Sequence, residues 1–488
     1  RVPREGLSEQ QFELMNWALG LHFGVARPQG RMTQYISPVR DAGTDYRAAT
    51  GRGYSSNAEL DFHVDGADLT TLGCYNRARS GGQSMITSSL TTYEVMRNNA
   101  VEMRPARPDN RMFNLAVDGV LVAIEEGRAY DSAVLKDASA YVGQRYDCSD
   151  FRLQSLARIL YAHRDSIGDE DYELIKHTFL DFKYWMDQPG SDSMCYWSEN
   201  HQLLFAASEF LAGQYWPDEI FTNAWMTGRQ HQALARERIL AWLELRWLYG
   251  FTEWYSNTYY VEDIAPLANL IDFAEDEEIV IKAKMVLDLL LYDLASQSYR
   301  GTFISSSGRM YANGKRYPEK NGMQAVIDHI WNPVRWGREP SERIGMDQNF
   351  IRMRNYDVPP VIKAIGEDDG RELVIRASTG LNLDELEAEG LLGLENRQIM
   401  MQWAMESFSN PEVITNTMDY MNKTDMFPNE FLHDLNDFNL AILRYTGAMP
   451  QISKSLNPVT NGTAIQRANT YTFRTPDYMV ASAQAYHP

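Results

Sequence analysis

The chain has 488 residues, 46 Lys+Arg against 66 Asp+Glu, and a formal net charge of −20. With 44% hydrophobic and 23% charged residues, wholesale disorder is excluded. The acidity argues against nucleic acid and anionic membrane as partners, except through a local basic groove. No uninterrupted apolar run reaches the roughly 18 residues of a spanning helix.

Taken in chain order, residues 8–24 carry apolar side chains at helical spacing. Residues 28–110 are rich in Gly, Ser, Thr, Arg and Asn and read as an irregular, partly β elaboration packed on the main body. Asp61, Asp65 and Asp68 resemble half of a calcium loop, but the EF-hand spacing and its terminal Glu are absent. No cofactor and no metal site are therefore predicted, calcium at these aspartates being the single alternative. Cys74, Cys148 and Cys195 allow at most one internal disulfide, and their spacing matches no zinc motif. They are expected as buried free thiols.

From residue 111 the pattern becomes repetitive. Helices are predicted at 112–127, 150–163, 169–187, 199–215, 228–249, 259–273 and 276–298, then at 322–331, 396–408, 411–422 and 431–446. Paired amphipathic helices without heptads predict a mainly α fold, an incomplete (α/α) toroid of antiparallel helix pairs. The predicted division is an N-terminal helix plus elaboration over 1–110, the toroid over 111–450 and the start of a β region over 451–488. Residues 470–486 alternate aromatic or β-branched with polar residues. They read as antiparallel strands opening a C-terminal β domain that would continue past Pro488.

Three segments carry chemistry. The first is Cys195-Tyr-Trp-Ser-Glu-Asn-His201, leading into an apolar helix. Ser198 or Asn200 could cap that helix. Asn200 and His201 fall in its first turn, where the helix dipole should lower the His pKa and leave a neutral proton acceptor. Trp197 and Glu199 adjoin them. The second segment, 250–269, places five aromatics in ten residues, among them Trp254, Tyr255, Tyr259 and Tyr260, with Glu253, Asn257, Glu262 and Asp263. Such a surface stacks on sugar rings. Tyr259 and Tyr260 point about 100° apart on a helix, so only one should face Asn200. The third, 299–320, holds Arg300, Arg309, Lys315, Arg316 and Lys320 against Glu319, a local charge of +4. Arg-rich loops with Gly and Ser suit carboxylate or sulfate.

Together these segments resemble the α/α-toroid polysaccharide lyases that act on alginate, heparin and chondroitin or hyaluronan. Asn200-His201 before an apolar helix is similar to the Asn-His segment of several such families. Arg300-Gly-Thr-Phe-Ile-Ser-Ser-Ser-Gly-Arg309 is loosely similar to the Arg-containing loop of the chondroitin AC type. The spacing from Asn-His to Tyr matches no single family. The resemblance implies β-elimination on a uronic acid. Asn200 and Arg309 would neutralise the carboxylate, His201 or a Tyr would remove the C5 proton, and Tyr259 or Tyr260 would protonate the leaving oxygen. Trp197, Glu199, Glu253, Trp254, Tyr255, Asn257, Arg300, Lys315 and Arg316 would bind the polysaccharide. Secretion or a periplasmic location follows only from that substrate class.

Two other readings stay open. One is a glycoside hydrolase on the same toroid, with an acid–base pair among Glu199, Glu253, Glu262 and Asp263. The other is an extracellular carbohydrate-binding or structural protein without catalysis. Oligomeric state is not readable. Nucleophile elbows and phosphate-binding Gly-rich loops are absent from the sequence.

Overall fold

A computed structural model describes residues 7–21, 110–460 and 464–484. The chain divides into two units, Arg1–Ala106 and Arg107–Pro488. In the first unit the described segment contains helix α1 (Glu9–Leu21). The elaboration expected over 28–110, the aspartates Asp61, Asp65 and Asp68, and Cys74 lie outside the described residues.

The second unit is mainly helical, with small antiparallel sheets. It opens with α2 (Asn110–Glu125), α3 (Ser132–Gly143), α4 (Ser149–His163) and α5 (Asp169–Leu180). The central helices are α6 (Glu199–Tyr215), α7 (Gly228–Tyr249), α8 (Tyr260–Phe273) and α9 (Glu277–Gln297). Their starts are written locally. Thr227 and Gln230 form a reciprocal capping box at α7, and the Asp276 carboxylate accepts from the Glu278 and Ile279 amides at α9. Helix α3 was not foreseen. Its apolar residues Leu135, Ala138, Tyr141 and Val142 recur at helical spacing and are buried, and Asp131 caps it by accepting from the Ala133 amide.

Helix α6 is the hub and packs against α4, α7 and α8. Every residue from Glu199 to Gly213 is buried, so it has no solvent face. A helix buried all round normally reads as apolar. This one carries Glu199, Asn200, His201, Gln202, Ser208 and Glu209, and each must find a partner inside. Gly213 lets α7 approach: a Cβ there would stand 2.4 Å from the Gly228 carbonyl oxygen.

The later part is shorter-pieced. It contains α10 (Ala312–Arg316), α11 (Met323–Ile330), α12 (Asp347–Ile351), α13 (Pro360–Glu367), α14 (Asn396–Ala404), α15 (Ile414–Thr424), α16 (Ala441–Tyr445) and α17 (Met449–Thr460). The helix expected over 431–446 is instead a 3-10 turn at His433–Phe438 followed by α16. The C-terminal strands Ala468–Arg474 and Met479–Gln484 form antiparallel pairs, as their alternation indicated. They join a strand from far earlier, Leu373–Thr379, with Leu373 opposite Arg474 and Thr379 opposite Ala468. The β region thus draws on residues 373–379 as well as on the C-terminal strands. Two short hairpins, Ile220–Phe221 with Met226–Thr227 and Ser298–Tyr299 with Thr302–Phe303, complete the sheets.

Candidate functional site

The first turn of α6 meets the segment before α8 through one carboxylate. Glu253 is fully buried, and its two oxygens accept from Asn200 Nδ2 at 2.7 Å and Arg309 Nη1 at 2.5 Å. Asn200, Glu253 and Arg309 come from the three segments singled out in the sequence. Arg309 also pairs with Glu406 at 3.0 Å, and its guanidinium lies 4.2 Å from the centre of the Tyr259 ring. The Tyr259 hydroxyl donates to the Tyr311 hydroxyl at 2.6 Å. Arg309 keeps 28% of its side chain exposed and Glu406 32%, so the network opens to solvent at this edge. Burial opposes the Arg309 charge, but Glu253 and Glu406 outweigh it and hold the guanidinium firmly protonated.

His201 sits beside this network. Its Nδ1 bonds Asp150 Oδ2 at 2.6 Å, and its ring stacks on Phe151 at 5.2 Å. The expectation of a neutral imidazole is overturned. Burial does lower the His201 pKa, but the Asp150 carboxylate and its hydrogen bond reverse that and push it up to about 9. A buried counterion outweighs the helix dipole here. Ser198 occupies the cap position of α6 but makes no capping hydrogen bond, and Asn200 is committed to Glu253 instead.

The two tyrosines separate as a helix start requires. Tyr259 is the residue before α8 and faces Arg309. Tyr260 opens the helix and is fully buried in the other direction. Its hydroxyl donates to Asp293 at 3.0 Å and accepts from the Tyr255 amide at 2.8 Å. It therefore does not join the Asn200–Arg309 network.

The other candidates divide. Trp197 is buried, edge-on to Trp403, Phe408 and Phe431. Glu199 is fully buried, paired with Arg246, and accepts from Thr252 N at 2.5 Å and Thr252 Oγ1 at 2.6 Å. Trp254, Tyr255 and Asn257 are buried, with Tyr255 Oη 3.4 Å from Thr470 Oγ1 and Asn257 donating to the Gly314 carbonyl at 2.9 Å. These four line the support of the site rather than its open face. Arg300 donates to the Pro476 carbonyl at 2.6 Å, with φ at 48°. Lys315 borders a surface pocket of about 450 Å³ with Tyr299, Ser305–Ser307 and Met479, and Arg316 is exposed. The +4 strip thus contributes Arg309 to the network, while Arg300, Lys315 and Arg316 lie apart from it.

Two carboxyls beside the network keep unpartnered oxygens among the described residues. Glu262 has Oε2, and Asp263 has both oxygens, buried without a hydrogen bond. Burial pushes both carboxyls well above their ordinary range. Sequence reasoning missed Asp150, Glu406 and Tyr311. Asp150 was readable as an acidic residue in the first turn of α4, but nothing local pairs it with a histidine 51 positions on.

The site and fold together define a mainly helical protein with a charged, hydrogen-bonded cluster at the start of a buried central helix. No family model matches the chain, and no solved structure matches it. Over 103 residues, 21% of this chain, it is 31% identical to FR-33289 synthase from Streptomyces rubellomurinus (strain ATCC 31215). The chain spans 30% of that protein's length.

Proposed function

We propose that this protein is a carbohydrate-active enzyme, a polysaccharide lyase that cleaves a uronic-acid-containing chain by β-elimination on an (α/α) toroid. The reading rests on one observation above the rest. An amide and a guanidinium from distant segments meet on the two oxygens of the buried Glu253 carboxylate, and the partly exposed guanidinium carries the Tyr259 phenol against its outer side. Elimination next to a carboxylate needs these types: donors that stabilise the enolate charge and a group that moves a proton. Arg309, partly exposed, binds the sugar carboxylate and acidifies the C5 hydrogen, and the buried Asn200 joins it as that carboxylate takes the place of Glu253. Tyr259, beside the Arg309 cation, exchanges protons with the sugar. Burial raises its hydroxyl pKa and Arg309 opposes that rise. His201, charged against Asp150, adds positive potential rather than serving as a neutral base. Tyr259 acts as phenolate: it takes the C5 proton as the C4–C5 double bond forms and the C4–O bond breaks, and it returns that proton to the leaving glycosidic oxygen.

The test is a panel of alginate, heparin, chondroitin sulfate and hyaluronan, read by near-ultraviolet absorbance and by new reducing ends. A lyase gives both on at least one polymer, and Tyr259→Phe and Arg309→Ala abolish both. New reducing ends without absorbance would refute elimination. They would favour the hydrolase reading, for which the unpartnered Glu262 carboxyl near the ion-paired Glu253 is the specific support. No activity on any acidic or neutral polymer would favour a binding or structural protein.

A further inference from the structure

The turn that precedes α4 brings a second group of side chains to the His201 end of the cluster. We propose that Asp147, Cys148 and His201 form a binding site for one divalent transition metal, with zinc the cation that fits the donor set.

The geometry comes first. One ligand atom from each of the three residues lies within 4.8 Å of the other two. Tetrahedral zinc, with bonds of about 2.0–2.3 Å, needs donors roughly 3.3–3.8 Å apart. Binding would draw the three donors together by side-chain rotation across that difference. The donors are also oriented. Asp150 holds His201 through Nδ1 and so leaves Nε2 as the ligand nitrogen. A carboxylate behind a metal-binding imidazole is the usual arrangement for fixing its tautomer and raising its basicity. Asp150 is itself fully buried, with Oδ1 unpartnered. The Cys195 amide donates to Asp147 Oδ1 at 3.1 Å and fixes that carboxylate. Cys148 sits at φ 63° and ψ 22°, a left-handed conformation uncommon for cysteine, directly before the helix.

The chemistry of the donors selects the ion. A thiol, an imidazole and a carboxylate favour zinc or a similar borderline metal over magnesium or calcium, which take oxygen sets. Asp147 and Cys148 are half-buried, so solvent reaches the site. Three protein ligands leave a fourth position for water or substrate, the pattern of an open zinc site. The cysteine spacing in sequence concealed this, because the donors come from positions 147, 148 and 201 and only one is a cysteine. A metal at Nε2 would take the place of the imidazolium proton and keep positive charge there. The proposal does not depend on the lyase reading.

The experiment titrates Co2+ into chelator-treated full-length protein and follows thiolate-to-cobalt charge transfer in the near ultraviolet. The wild type, Cys74→Ser and Cys195→Ser should all develop the band at one equivalent. Cys148→Ser should lose it, and His201→Gln should weaken cobalt binding at least tenfold. X-ray absorption on wild-type protein loaded with one equivalent of zinc covers the case in which a variant fails to fold. One sulfur at about 2.3 Å with nitrogen and oxygen neighbours is expected. A band that survives in Cys148→Ser, a wild type that develops no band, or a zinc shell without sulfur would overturn the site. Activity on polysaccharides does not enter any of these readouts, so the metal site and the lyase reading can fail separately.

Discussion

Glu199 and Arg246 offer the sharpest energetic test. Both side chains are buried, at 0% and 1% exposure. Burial depresses the arginine pKa to about 10, yet it stays charged at neutral pH. Glu199→Gln removes the opposing charge but keeps an oxygen for the Thr252 amide. Arg246 would then be a buried cation hydrogen-bonded to Thr252 Oγ1 at 3.3 Å and Met401 Sδ at 3.6 Å, with Asp263 and Glu253 the acids still near it. Leaving one member of a buried pair alone costs about 3–5 kcal/mol. The retained amide hydrogen bond restores about 1 kcal/mol, so about 3 kcal/mol is expected for the single change. Arg246→Met strands Glu199 instead, but two donors from Thr252 soften that, to about 2 kcal/mol. The double variant contains neither charge, and its loss should fall well short of the sum of the two. Urea unfolding of the four proteins, followed by circular dichroism, gives the coupling. If the pair acts as described, the coupling exceeds about 1.5 kcal/mol. Additive losses, or a Glu199→Gln cost below about 1 kcal/mol, would show that Arg246 finds another counterion and that the pair does not hold the start of α6.

Other outcomes follow from particular contacts. Tyr259→Phe should reduce turnover by about 100-fold or more with little change in stability, whereas Tyr260→Phe should cost about 1 kcal/mol of stability and leave turnover nearly intact, as kinetics and unfolding on the same samples would reveal. Burial raises the Asp118 carboxyl to about 7, with Ser155 opposing and Asp347 reinforcing the rise. In the unfolded chain this group ionises near 3.8, so the folded form loses relative stability as pH rises from about 4 to 7 and no further above it. Thermal unfolding of Asp118→Asn should show a smaller drop between pH 5 and pH 7 than the parent, and equal slopes would count against a neutral Asp118. Gly213→Ala forces a Cβ against the Gly228 carbonyl and should destabilise by about 1–3 kcal/mol in urea titrations.

The helices were legible where amphipathic spacing and caps agreed. Residues 228–249 matched α7 because Thr227 and Gln230 mark its start and Gly250, at φ 75°, ends it. Residues 169–187 overran because the apolar run continues past Leu180 into Phe182, Tyr184 and Trp185, which are buried but not helical. The sheet partner at Leu373–Thr379 was hidden, because pairing across some 95 residues leaves no local trace. In the site, residue types were legible and polarity was not. Asn200, Glu253 and Arg309 could be chosen as reactive, but a sequence does not show that Asp150 faces His201 and reverses its charge state. Nor does it separate Tyr259 from Tyr260, since one residue of helix phase decides which phenol meets Arg309.

Helix α6 carries two buried charge clusters, and their difference argues which one is functional. At its far end Glu209 accepts from Arg238 Nη1 at 2.7 Å and Gln188 Nε2 at 3.1 Å, and pairs with His231 Nδ1 at 2.6 Å. Glu209, Arg238 and His231 are each at most 1% exposed. That cluster resembles the Asp150–His201 pair in chemistry and joins α6 to α7; it reaches toward solvent through Asp187, 46% exposed and 3.6 Å from Arg238 Nη2, while the Arg238 cation itself stays buried. The first-turn cluster differs in that its cation is itself partly exposed. Through Glu253 it connects Asn200 to Arg309 and Glu406, both partly exposed, and so to solvent. A buried charged network costs desolvation wherever it sits. Only a cation that itself reaches the surface, as the 28%-exposed Arg309 does and the 1%-exposed Arg238 does not, can exchange its internal counterion for a ligand's carboxylate. Glu209→Gln should therefore lower stability alone, while Glu253→Gln should also change turnover. If both variants affected only stability, the first-turn cluster would be structural too, and the candidate site would have to be sought elsewhere.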